Sequence, residues 1–109
     1  MTNGDPSEGK AGLGYIYVEM TIRDPESMKQ YTALSAPAAK AAGGRYIVLG
    51  RPECLEGTCG ADRVALVEFA TAEAARAFYH SAAYQAAREK RLGKAEFRMV
   101  LLEGTAAPS

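Results

Sequence analysis

His80 is the only imidazole in the chain, so proton transfer near neutral pH would have to start there. Ser81 follows it directly. Neighbours at a helix end need not face each other, however, and no third carboxylate can be assigned to orient the ring, so the pair does not read as a catalytic triad. A lone histidine at such a place is more often a surface or capping residue. The phenols of Tyr17, Tyr31, Tyr79 and Tyr84 each join an apolar ring to a polar tip, which suits the wall of a ligand cavity and a packed core equally well. Arg45 at a strand start and Tyr79 at a helix end are placed to reach the mouth of a cleft and hold a carboxylate ligand. The competing reading pairs Arg45 with Glu68 or Glu56. The candidate binding set is therefore Arg45, Tyr79, His80, Tyr17 and Tyr31, with His80 the catalytic candidate. Arg63 with Glu68, and Arg91 with Glu103, read as intramolecular or intersubunit ion pairs that fix register.

Other chemistries find no support. Cys54 and Cys59 form a C-x4-C pair, and with one distant histidine they fall short of the ligand set of a structural zinc site. In a reducing cytosol the expectation is two free thiols, with a disulfide as the alternative if a hairpin in this turn-rich link brings the two together. Gly43-Gly44 is not part of a phosphate loop, because no G-x-G-x-x-G or lysine-bearing glycine motif accompanies it. Neither metal nor cofactor is expected. The 13 basic and 13 acidic residues cancel and the cations are scattered, so the field that attracts nucleic acid or an anionic membrane is missing. No apolar run approaches the ~20 residues of a membrane-spanning helix. The start, Met1 to Gly14, lacks the apolar stretch of a secretory signal, and a cytoplasmic protein is expected.

The elements that must position these side chains follow from periodicity. Strands are predicted over Tyr15 to Ile22, Arg45 to Leu49, Arg63 to Phe69 and Phe97 to Glu103. In the first, Ile16, Val18, Met20 and Ile22 alternate with Tyr15, Tyr17, Glu19 and Thr21, the two-residue period of a pleated strand. Asp24-Pro25-Glu26 opens a helix with a cap acceptor, a harmless proline and a first-turn carboxylate. Met28, Tyr31, Leu34, Ser35, Ala38, Ala39 and Ala42 form its apolar stripe, Gly43-Gly44 ends it, and Pro37 is expected to kink or interrupt it. Thr71 caps a second helix with Ala74, Ala75, Phe78 and Ala82 on its buried line. Ser81 breaks that helix and caps a shorter one carrying Tyr84, Ala87 and Arg91. Residues 14–104 form a single domain, preceded by a mobile segment over residues 1–13 and followed by a flexible tail over residues 105–109.

The order strand, helix, strand, strand, helix, strand predicts an α+β fold: a four-stranded antiparallel sheet with helices on one face. Tyr15, Tyr17 and the second apolar sets of the third and fourth strands would then lie on an uncovered face larger than a soluble monomer tolerates. A second copy of the chain is the expected cover, which makes the protein a homodimer through the open sheet face.

Tyr31, Gly43-Gly44-Arg45, Leu55-Glu56-Gly57, Arg63 leading to Glu68-Phe69, the run Phe78-Tyr79-His80-Ser81-Ala82-Ala83-Tyr84-Gln85, Arg91 and Glu103-Gly104 resemble, in order and spacing from Gly14 to Gly104, domain-of-unknown-function family 1330. The resemblance implies a ferredoxin-like βαββαβ fold paired into a dimeric α/β barrel, with no established activity. Ala82-Ala83 stand where the family often has a proline and an acidic residue, which removes an acidic side chain from this loop. The leading functional expectation is a small-molecule site, for a carboxylate or aromatic ligand, in a cleft between sheet and helices. One alternative is an enzyme of the cofactor-independent or haem-dependent monooxygenase or lyase type found among dimeric α/β barrels, an analogy of fold alone. Haem would require His80 as its axial ligand. Another is a structural or regulatory module without ligand.

Overall fold

The computed structural model describes residues 12–105. Strand β1 (Gly14–Ile22) sends Ile16, Val18 and Met20 into the core and Tyr15, Tyr17 and Glu19 to the opposite face, as its alternation requires. With β2 (Arg45–Gly50), β3 (Arg63–Phe69) and β4 (Ala95–Glu103) it forms one sheet in the order β2-β3-β1-β4. Every neighbouring pair is antiparallel. Helices α1 (Pro25–Ala41), α2 (Ala72–His80) and α3 (Ala82–Glu89) complete the element order. This is the expected α+β, ferredoxin-like architecture.

Each helix begins where its cap predicts. The Asp24 carboxylate accepts from the Glu26 amide at 3.1 Å and the Ser27 hydroxyl at 2.8 Å, and the Ser27 hydroxyl holds that carboxyl below its ordinary range. Thr71 Oγ1 accepts from Ala74 N at 2.9 Å. Ser81 serves two helices: its Oγ donates to the Phe78 carbonyl at 2.7 Å, ending α2, and accepts from Tyr84 N at 3.1 Å, starting α3. Gly43 leaves α1 at φ +81°. A Cβ on Gly44 would lie 2.7 Å from the Phe69 ring, so the turn into β2 passes tightly over the core.

Three details of the helices differ from expectation. Pro37 does not interrupt α1. It lies on the exposed side, where water can satisfy the carbonyl of Ala33 that loses its donor. The buried seam of α1 is Ser27, Tyr31, Ser35 and Ala39, a four-residue step that leaves Leu34 40% exposed. Ala82, expected on the buried line, is exposed because α2 has already ended at His80.

Within the chain the predicted ion pairs do not form. Arg63 and Glu68, five residues apart on one strand, point to opposite faces; Glu68 pairs with Arg45 at 3.2 Å instead. Arg91 is buried beneath the helices while Glu103 lies exposed at the far end of β4. The expected free thiols are replaced by a disulfide, Cys54–Cys59, in the connection between β2 and β3. The hairpin brings their Cα atoms to 5.7 Å, within the span a disulfide bridges, so local geometry overrides the compartment argument.

The face of the sheet away from the helices carries three cross-strand rows. Val48, Leu66, Tyr17 and Val100 form the central one, and Arg45, Glu68, Tyr15 and Leu102 a flanking one; Val64, Glu19 and Arg98 lie on the other side. Ion pairs Arg45–Glu68 and Arg98–Glu19, the latter at 2.9 Å, border the apolar centre. The Tyr15 and Tyr17 hydroxyls donate to Glu68 and Glu19. Hydrogen bonds from Ala72 N to Gly12 O and from Gly104 N to Leu13 O bind both ends of the described chain to this body. Residues 1–11 and 106–109, most of the expected mobile segment and tail, lie outside the described residues. Among the described residues no helix is long and apolar enough to cross a membrane.

Candidate functional site

Helix α1 runs closest to α3 and not to any strand, and the gap that it leaves over the sheet is a cavity of about 970 Å³. Thr32, Ala33, Ser35 and Ala36 are the small residues that α1 presents to that gap, and they have too little side-chain volume to fill it. Val18, Met20, Ala65 and Val67 form the floor, Met28 and Tyr31 the α1 wall, and Phe97 and Met99 one end. Tyr46 and Leu49 of β2 stand at the other. Lys29 and Arg63, both exposed, also line it.

Tyr31, Tyr84 and Arg91 meet beside Phe97 and Met99. Tyr31 Oη lies 3.0 Å from Tyr84 Oη. Arg91 Nη2 donates to Tyr84 Oη at 3.1 Å, and Tyr84 Oη reaches Met99 Sδ at 3.2 Å. The guanidinium carbon sits 3.8 Å above the Phe97 ring and 5.4 Å from the Tyr31 ring centre, a stacked cation geometry. Burial, followed by the neighbouring Tyr84 hydroxyl, pushes the Tyr31 phenol far up, so it is a hydrogen-bond donor at any working pH. Burial also raises Tyr46, opposed by a hydrogen bond with Ser35.

The five binding candidates do not converge on this cavity. Tyr31 lines it. Tyr79 and His80 line a separate cleft of about 270 Å³ with Arg76, Ile16 and Leu101, where His80 is exposed and meets the Tyr79 ring edge-on at 5.1 Å. Tyr17 and Arg45 lie on the opposite side of the sheet. Arg45 and Tyr79 are on opposite faces and near opposite edges, so they do not hold one carboxylate between them. His80, the imidazole that haem would need, is outside the large cavity, so its placement does not fit an axial ligand there. The residues that sequence reasoning did not assign to the site are Arg91, read as a register ion pair, and Tyr46, read only as part of an apolar strand. Tyr84, Ala87 and Arg91 at helical spacing were the available signal, since Tyr84 and Ala87 of α3 and Arg91 just beyond its end are all buried.

The comparisons agree with this architecture. Residues 13–105 match the family model described as a domain of unknown function, DUF1330. No curated protein matches the chain. Among solved structures, a protein of unknown function from Rhodopseudomonas palustris, RPA0582, is 19% identical with a TM-score of 0.74, covering 90% of this chain and 85% of its own. A dimeric protein of unknown function and ferredoxin-like fold from Bacteroides fragilis is 20% identical with a TM-score of 0.59, covering 84% and 96%. SnoaB, a cofactor-independent oxygenase from Streptomyces nogalater, is 13% identical with a TM-score of 0.64, covering 91% and 97%. At these identities the likeness is one of fold.

Proposed function

The chain belongs to the DUF1330 family, and from that premise we propose that it is a homodimeric binding protein that holds a small molecule between α1 and the sheet. The cavity of about 970 Å³ carries this reading. Its size is in the range of ligand sites, and apolar walls with a few hydroxyls are the composition such sites have. A structural module would cover these apolar walls with larger side chains, because apolar surface left in contact with water forgoes the gain from burial. Thermal unfolding with a panel of neutral and acidic aromatic compounds tests it. At least one should raise Tm progressively with its concentration, and Ala36→Trp, whose indole would occupy the cavity from α1, should abolish the shift. No shift in the parent protein, or the same shift in both, overturns the reading.

The homodimer rests on the bare sheet face. Val48, Leu66, Tyr17 and Val100 run across all four strands as an apolar row between ion pairs. A second copy presenting the same face would bury the usual ~800 Å² per partner. Sedimentation equilibrium at micromolar concentration should return twice the chain mass; a folded monomer contradicts it. For the enzymatic alternative, the cavity lining among the described residues includes no imidazole or carboxylate to abstract a proton, and shared fold with an oxygenase transfers no chemistry. Binding is therefore the reading stated.

A further inference from the structure

Arg91 is 5% exposed, yet no carboxylate lies within ion-pair distance of it among the described residues. Its Nε has no hydrogen-bond partner. The protein supplies only a phenol oxygen, a thioether and the faces of two rings to this cation. A guanidinium stays charged at any working pH, and charges buried without an opposite charge are rare because desolvation is costly. The side chain does not itself line the cavity, but it is bonded to the Tyr84 hydroxyl, which pairs with Tyr31, and both tyrosines do line it.

We propose that Arg91, Tyr84 and Tyr31 form the anion subsite of this cavity, and that the ligand is a carboxylate on an apolar, aromatic-sized body. The inference rests on the reading of the cavity as a ligand site and adds the ligand's charge and orientation. Arg91 donates to Tyr84 Oη. When the Tyr84 proton in turn goes to Tyr31 Oη at 3.0 Å, the Tyr31 hydroxyl is free to donate into the cavity that its side chain lines. Without ligand, the Tyr84 proton has only the Met99 sulfur at 3.2 Å as its other acceptor, and sulfur is a weak one. An arriving carboxylate gives this chain of donors a strong terminus and the guanidinium a counter-charge. A single guanidinium matches one negative charge, which favours a carboxylate over a phosphate dianion. The apolar floor of Val18, Met20 and Ala65 takes the rest of the molecule. Lys29 and Arg63 along the lining add positive potential that draws an anion towards the cavity.

The test compares 2-naphthoate with its neutral isostere 2-naphthamide by calorimetric titration of the full-length protein, its Arg91→Met variant and its Tyr31→Phe variant. Naphthoate should bind the parent about tenfold or more tightly than naphthamide. Arg91→Met should abolish that preference, bringing the two affinities together, and Tyr31→Phe should reduce it. Tyr31→Phe keeps the test valid if Arg91→Met does not fold. In the parent, the Arg91 Nε–Hε resonance, assigned by its loss in Arg91→Met, should shift with naphthoate and not with naphthamide. Equal affinity for both compounds overturns the anion subsite and leaves the cavity reading standing. A preference that survives in both variants also overturns the subsite. Binding of neither compound overturns the subsite and counts against the cavity reading.

Discussion

Replacing Arg91 by methionine separates a structural role for this residue from a ligand-binding one. The substitution removes a hydrogen bond from a charged donor to Tyr84 Oη, worth about 1.5–3 kcal/mol, and a stacked contact over Phe97, worth up to about 2 kcal/mol when desolvated. Against this it removes an orphaned Nε, whose burial costs about 1–3 kcal/mol, and the desolvation of a 5% exposed cation, several kcal/mol more. Methionine has a similar reach, and Phe97 and Tyr31 form an apolar pocket for its thioether. The losses and gains offset each other, so unliganded Arg91→Met should unfold within about 1 kcal/mol of the parent or be more stable. Urea unfolding at fixed protein concentration, extrapolated to water, is the assay. A loss above about 3 kcal/mol would show that the guanidinium is needed by the fold itself, and would refute the argument that its charge awaits a ligand.

Other substitutions probe the remaining elements. Leu66→Asp places a charge in the central row of the bare face, next to Tyr17 and Val48. Two copies each losing about 1.5–3 kcal/mol of apolar burial should weaken the dimer at least about a hundredfold by sedimentation, and unchanged association would move the interface elsewhere. Gly14→Ala would set a Cβ 2.5 Å from the Thr71 carbonyl oxygen and 2.6 Å from Ala72 Cα; because these are backbone atoms it should cost about 1–3 kcal/mol, whereas Gly50→Ala, which meets open space, should unfold much closer to the parent. The Arg98 hydrogen bond, then that from Tyr17, holds the Glu19 carboxyl below its ordinary value, so its contribution is present above the unfolded value near ~4.3 and is lost as pH falls through the lower folded one. Glu19→Gln should therefore show a smaller fall of Tm between about pH 5 and 2, and an identical acid limb would sink the assignment.

The alternation of Ile16, Val18 and Met20 with Tyr15, Tyr17 and Glu19 is enough to place β1 and its two faces, because a half-covered strand writes its environment with a period of two. Asp24, Thr71 and Ser81 mark the helix starts through local capping chemistry, which depends on a few adjacent residues. The candidate site is less legible. Arg45 and Arg91 are identical in sequence terms, yet one pairs with Glu68 on the open face and the other is enclosed by Tyr31, Tyr84 and Phe97 from α1, α3 and β4. That difference is made by tertiary packing alone. Tyr79 and Arg45 both end an element, but ends of elements carry no information about which face or edge they share. The Cys54–Cys59 pairing escapes an argument from compartment because the geometry of the hairpin decides it.

Nuclear Overhauser contacts between bound 2-naphthoate and assigned methyl groups locate the small molecule directly. Ring protons should show contacts to Val18, Met20, Ala65 and Met99, inside the cavity beneath α1. Contacts confined to Val48, Leu66 and Val100 on the bare face, with none to the first set, would contradict that placement.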